Sequence, residues 1–153
     1  MLTPGDEAPD FTLPDQDGRP FHLAERIAAG PGWHLVYFYP KADTPGCTTQ
    51  ACGLRDILGE IGGTTVVGIS PDPPARQKRF DEKHSLGFPL LSDEDHAVAE
   101  AYGAWGERSM YGRKYMGIIR SAFLVDEHGR LVAAWPRISP KDTPTKLLRA
   151  LAT

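Results

Sequence analysis

The sequence predicts an α/β fold: a mixed sheet with flanking helices, preceded by an N-terminal β-hairpin. Three observations carry that reading. Residues 33–39 form a near-continuous apolar and aromatic run, as expected for a strand covered on both faces. A β-branched segment over residues 64–70 follows an intervening helical pattern, and strand, helix, strand in that order implies a right-handed crossover and parallel pairing. Near the C-terminus two apolar segments, Ser121–Val125 and Leu131–Trp135, flank Asp126-Glu127-His128-Gly129, a hairpin signal.

The elements follow in order. Phe11-Thr12-Leu13 and Phe21-His22-Leu23 are short apolar segments on either side of the turn-forming Asp15-Gln16-Asp17-Gly18, which reads as the early hairpin. The strand over residues 33–39 stops at Pro40. A helix is expected over residues 45–61, because Thr44 offers an N-cap oxygen and Pro45 needs no hydrogen-bond partner at the first helical position. Gly62-Gly63 ends it, and Cys47, Ala51, Leu54, Leu58 and Ile61 fall on one apolar stripe. After the strand over residues 64–70, Asp72-Pro73-Pro74 opens a helix through about His84. Residues 88–91 are extended and residues 95–102 helical.

Residues 104–119 read as a long connection holding Arg108, Tyr111, Arg113, Lys114 and Tyr115, which delivers Arg120 to the start of the next strand. Thr143–Leu151 forms a closing helix. This order, β-α-β-α followed by a hairpin and a last helix, is that of a thioredoxin-like sheet with additions. Residues 1–153 make one domain, and no internal repeat is present.

Composition narrows the function classes. Hydrophobic content of 41% and charged content of 24% are ordinary globular values. A net charge of −3 gives no electrostatic reason to bind nucleic acid, so the basic and aromatic residues of the 104–119 segment read as a solvated rim. The first residues lack the basic and apolar regions of a secretory signal, and no segment approaches the ~18 apolar residues of a membrane span. A cytoplasmic protein without membrane partners is expected. Two cysteines fit a redox site in a reducing compartment better than a stapled secreted scaffold. His22, His34, His84, His96 and His128 show no metal-ligand or nucleophile–base spacing, so neither a metal nor another cofactor is expected. No phosphate-binding glycine loop is present.

Both cysteines fall in the segment from Pro40 to Cys52. Cys47 lies in the first turn of the expected helix, where unpaired N–H groups and the positive end of the macrodipole favour an anion. A sulfur there loses its proton more easily than the ~8.5 of a free thiol. Cys52 is five residues on, turned by roughly 140°, and two Cα atoms at that spacing on an ideal helix are roughly 8.6 Å apart. That exceeds the ~7 Å limit for a disulfide without backbone movement. Two readings stand on spacing alone. Cys47 is a buried small hydrophobe beside an incidental thiol, or it is a nucleophile that Cys52 reaches after the helix start unwinds at Gly46.

Pro40-x-x-x-Thr44-x-x-Cys47, with a second cysteine five residues later, resembles the peroxidatic-cysteine motif of the peroxiredoxins in their bacterioferritin-comigratory (PrxQ) branch. The resemblance extends from Pro4-Gly5-Asp6-x-Ala8-Pro9-Asp10-Phe11-x-Leu13 through Val67-Gly68-Ile69-Ser70 and Phe88-Pro89-Leu90-Leu91-Ser92-Asp93 to Arg120-Ser121-x-Phe123-x-Val125-Asp126. It implies Cys47 as peroxidatic cysteine, Cys52 as resolving cysteine, and Thr44, Arg120, Pro40 and the backbone of Gly46 around the peroxide. The departure is Gln50, where the branch often carries Glu, so a carboxylate that would orient Arg120 is expected to be missing.

The resemblance implies a monomeric thiol peroxidase that reduces hydrogen peroxide and organic hydroperoxides and is regenerated by thioredoxin or a similar dithiol protein. A dithiol oxidoreductase acting on protein disulfides is the nearest rival, opposed by the absent C-x-x-C motif. A non-enzymatic redox sensor or holdase using the Cys47–Cys52 pair is the other.

Overall fold

A computed structural model describes residues 1–152. The N-terminal strands β1 (Thr12–Pro14) and β2 (Pro20–His22) pair antiparallel with Leu13 opposite Phe21. Asp15 closes the turn, accepting the amides of Asp17 and Arg19 on its carboxylate. Leu23, expected as the end of the second strand, begins helix α1 (Leu23–Ala29) instead. The Ala24 amide donates to the Asp10 carboxylate at 2.9 Å, so a free N–H at the helix start is satisfied from fourteen residues upstream.

Strand β3 (His34–Phe38) is buried along its whole length. Helix α2 (Pro45–Asp56) leads across to β4 (Thr65–Ser70), which pairs with β3 in parallel from His34–Thr65 to Phe38–Ile69. The helix ends five residues before the expected stop. Ile57 leaves helical geometry, its amide turns to Leu54, and a 3-10 turn follows over Leu58–Glu60. The tighter turn brings Ile57 and Ile61 into the core and leaves Leu58 half-buried.

Helix α3 (Pro74–His84) returns the chain to β5 (Leu90–Ser92), parallel to β4. Helix α4 (Ala97–Ala101) is capped by the buried Asp93, whose carboxylate accepts the amides of Val98 and Ala99. The stretch expected as a long connection is a second hairpin, β6 (Trp105–Met110) and β7 (Arg113–Ile118), turning at Tyr111 and Gly112. Strands β8 (Ser121–Val125) and β9 (Leu131–Trp135) form the expected hairpin, and α5 (Thr143–Leu151) closes the chain.

The central sheet runs β5-β4-β3-β8-β9, with β8 antiparallel to β3. Alternation along β3 divides the core in two. Leu35, Tyr37 and Tyr39 pack with Cys47, Ala51 and Leu54 of α2, Phe80 of α3 and Leu147 of α5. Val36 and Phe38 face the other way, towards Phe11, Phe21 and Leu23 at the N-terminus and Ala99 and Tyr102 at α4. Gly68 of β4 makes room for the first group, since an added Cβ would lie 2.9 Å from the Tyr37 hydroxyl. A mixed sheet with helices on both faces is the predicted fold class.

Candidate active site

The site lies beyond the carboxyl end of β3, where ligands bind in open α/β sheets. Pro40 is half-buried at the exit from the strand, and the loop after it is tied down at two points. The Ala42 amide donates to the Asp72 carboxylate at 2.7 Å, and Ser70 donates to the same oxygen. Asp43 takes a left-handed conformation that Asp tolerates, with φ 60°. Its carboxylate pairs with Lys83 at 2.9 Å and His84 at 3.1 Å on α3. Those hydrogen bonds, Lys83 first, hold the Asp43 carboxyl below the ordinary range.

Thr44 sits at the N-cap position of α2 with extended dihedrals, but it makes no side-chain cap. The expected acceptor role is corrected: its hydroxyl donates to the Lys41 carbonyl at 2.7 Å, because the loop folds that carbonyl back over the helix start. The lone pairs of the oxygen remain open to another donor. Pro45 is the first helical residue, and Gly46 and Cys47 are second and third, where an α-helix leaves N–H groups without intrahelical partners.

Cys47 is 1% exposed, and its Sγ accepts from Nη2 of Arg120 at 3.4 Å. Arg120 comes from the short link between β7 and β8, so the hairpin β6–β7 and the central sheet together aim it. Gly46 allows the approach, for an added Cβ would stand 3.2 Å from Nη2. The other guanidinium nitrogen, Nη1, donates to Oε1 of Gln50 at 2.7 Å. Gln50, fully buried, donates through Nε2 to Oγ1 of Thr143 at 2.9 Å, and Thr143 donates to the Ser139 carbonyl at 2.8 Å. The chain from Ser139 to Cys47 thus passes through one continuous set of hydrogen bonds. Among the described residues Arg120 has no carboxylate partner.

Gln50 therefore supplies the orienting contact that was expected to be missing, through an amide in place of a carboxylate. Its position three residues after Cys47 puts it on the same helix face, a signal the sequence does contain. Thr143 and Ser139 gave no such signal, because Thr143 meets α2 across 93 residues and Ser139 reaches it only through Thr143.

Cys52 lies in the same unbroken helix, half-buried against the core, and both thiols are free. Beneath Cys47 the phenols of Tyr37 and Tyr39 are pushed above their ordinary value by burial first. Among the described residues no group of three or more His, Cys, Asp or Glu could hold a metal ion. No helix there is long and apolar enough to cross a membrane.

Comparison with known proteins adds the chain's relatives. Residues 4–134 match the model of the AhpC/TSA family. A putative peroxiredoxin of Mycobacterium tuberculosis is 50% identical over 153 residues, covering 99% of this chain and 96% of the relative. Peroxiredoxin Bcp of Escherichia coli K12 is 53% identical over 136 residues, 85% of this chain and 83% of the relative. The bacterioferritin comigratory protein of Xanthomonas campestris, solved in work on its alkyl peroxide reduction activity, superposes with a TM-score of 0.84 at 33% identity. That superposition covers 93% of this chain and 90% of the other.

Proposed function

We propose that this chain, which belongs to the AhpC/TSA family and is a peroxiredoxin of the Bcp/PrxQ kind, reduces hydrogen peroxide and organic hydroperoxides with Cys47 as its nucleophile. The observation that carries the proposal is the Arg120 guanidinium donating to Sγ of Cys47 in the first turn of α2.

Sulfur attacks the terminal oxygen of the peroxide, an S–O bond forms as the O–O bond breaks, and the alcohol or water leaves with a proton. Cys47 becomes a sulfenic acid. Negative charge spreads over sulfur and both oxygens as this happens, and the positive guanidinium with the N–H groups of Gly46 and Cys47 is the local means of holding it. Thr44, whose own proton is committed to Lys41, accepts the hydrogen bond of the peroxide O–H. Pro40 covers the site and limits water.

Cys52 then attacks the sulfenic sulfur, water leaves, and an intramolecular disulfide results. Because the intact helix separates the two thiols, its first turns must unwind for this step. A dithiol protein such as thioredoxin returns both cysteines to thiols by supplying two electrons. Resolution within one chain needs no second subunit, so the working unit is a monomer, and a cysteine pair returned to thiols by a dithiol protein suits the cytoplasm.

Peroxide consumption with a thioredoxin system, followed by mass spectrometry of the cysteines, tests this. C47S should abolish turnover, and C52S should stop after one equivalent with Cys47 trapped as sulfenic acid. A C47S protein that consumed peroxide at the parental rate would refute the assignment.

A further inference from the structure

Beside the guanidinium of Arg120 lies a cavity of about 360 Å³ lined by Arg108, Ile119, Arg120, Arg137, Ile138 and Ser139. Hydrogen peroxide, with two heavy atoms, would leave most of that space empty, whereas ligand sites for larger organic molecules begin at roughly 300 Å³. Three of the six lining residues are arginines and none is acidic.

Among the described residues Arg108 and Arg137 have no counter-ion, and Arg120 has only the Cys47 sulfur. Arg108 donates through Nη1 to the Ile118 carbonyl at 2.8 Å, which fixes its stem but leaves its charge without a counter-ion. Arg120 is held by neutral Gln50 and by Cys47. Arg137 is exposed and has no hydrogen bond or ion pair with any described residue. The nearby Glu107 pairs with Lys114 at 3.5 Å on the hairpin and does not line the cavity. Like charges gathered round one concavity repel each other and focus a positive field into it, and this occurs in a chain of net charge −3. An anion relieves that repulsion, and guanidinium forks bind carboxylates in pairs of parallel hydrogen bonds. Ile119 and Ile138 add an apolar wall for the carbon skeleton.

We propose that this cavity is a subsite for the anionic end of an organic hydroperoxide, one bearing a carboxylate on the group that leaves as alcohol. The proposal rests on the peroxidase reading above. The chemistry is that of any hydroperoxide: the S–O bond forms at Cys47, the O–O bond breaks, and the alcohol departs with its carboxylate unchanged. Arg108 and Arg137 select the substrate, and Arg120 serves both the cavity and the sulfur.

The test uses the full chain, reduced, with cumene hydroperoxide and its para-carboxylate derivative as matched probes. The parental kcat/KM for the carboxylate probe should exceed that for cumene hydroperoxide by about tenfold, the value of one charge-assisted hydrogen bond. Raising salt to about 0.5 M should shrink that ratio. In R137Q and in R108Q the ratio, taken within each variant, should fall towards one, with R137K recovering part of it. A parental ratio of one or less, or a ratio unmoved by salt and by both substitutions, overturns the subsite while leaving the peroxidase intact. Failure of the parent to consume either probe or hydrogen peroxide overturns both.

Discussion

An arginine only donates, so the amide beside Arg120 must turn its oxygen to the guanidinium and its nitrogen towards Thr143. Thr143 in turn spends its proton on Ser139, and every member of the chain is satisfied by the polarity of the one before. A glutamate at position 50 would present oxygen to both sides, and Thr143 would have to abandon the Ser139 carbonyl to meet it. Replacement by leucine cuts the chain instead. Q50L takes the acceptor from Nη1 of the half-buried Arg120 and the donor from Oγ1 of the buried Thr143, which keeps only its bond to Ser139, a loss of about 1–3 kcal/mol. Urea unfolding should show that loss, and the second-order rate of Cys47 oxidation should drop by about tenfold as the guanidinium loses its orientation. Parental values on both measurements would show that Arg120 is aimed by its backbone alone. Cys47, Thr44 and Arg120 stood out in the sequence because each matches a motif with a chemical reason. The amide was harder to judge, since the same spacing admits a missing carboxylate and a working substitute.

Elements whose residues satisfy one another locally were legible in the sequence, and those satisfied from far away were not. The buried run of β3 and the Thr44-Pro45 start of α2 declare themselves, as does the hairpin β8–β9. Helix α1 takes its capping contact from Asp10, and the strands β6 and β7 expose residues on both faces, so neither shows a clean period. The same N-terminal region carries two histidines whose titrations act in opposite directions. His22 hydrogen-bonds Asp10 at 2.6 Å, which raises its pKa above the ordinary 6.5. Its contribution is complete below about pH 6.5 and disappears as pH rises through the higher folded value. His34, on β3 beside the Phe21 ring, is held below 6.5 by burial first and by Arg26 second. Below 6.5 the unfolded chain takes that proton first, and stability falls with pH. Thermal melts from pH 5 to pH 9 should therefore give an H22Q deficit that is full near pH 6 and shrinks above it. The parent should lose melting temperature below pH 6.5 more steeply than H34Q. A pH-independent deficit for H22Q, or parallel acid limbs for H34Q, would remove these assignments.

Across the whole molecule, rigidity and mobility have to be divided between neighbouring parts. In the proposed cycle the attack on peroxide needs α2 folded to its first turn, while joining Cys47 to Cys52 needs the same turn open. The central sheet supports the first demand: β3 is buried end to end between β4 and β8, and its opposite faces are sealed by two separate cores. The contacts that must yield lie partly at the surface and partly in the core, where Cys47, Gln50 and Ala51 are buried. Asp43 pairs with Lys83 and His84, Gln50 with Thr143, and Gly53 packs so closely on α5 that an added Cβ would lie 2.9 Å from Pro144. Surface ion pairs of the Asp43 kind are worth little, on the order of 1 kcal/mol or less, so the loop end of α2 is the weakest-held part of the site. Local opening should then be confined to it. Hydrogen exchange read by mass spectrometry should show residues 46–52 exchanging at least about tenfold faster once the Cys47–Cys52 bond has formed, with β3, β4 and β8 unchanged. In C52S, oxidation at Cys47 alone should leave α2 as protected as in the reduced protein. If a sample with the disulfide verified by mass kept full protection across α2, the unwinding step would have to be abandoned. Faster exchange spreading through β3 and β4 would instead mean that the sheet itself moves.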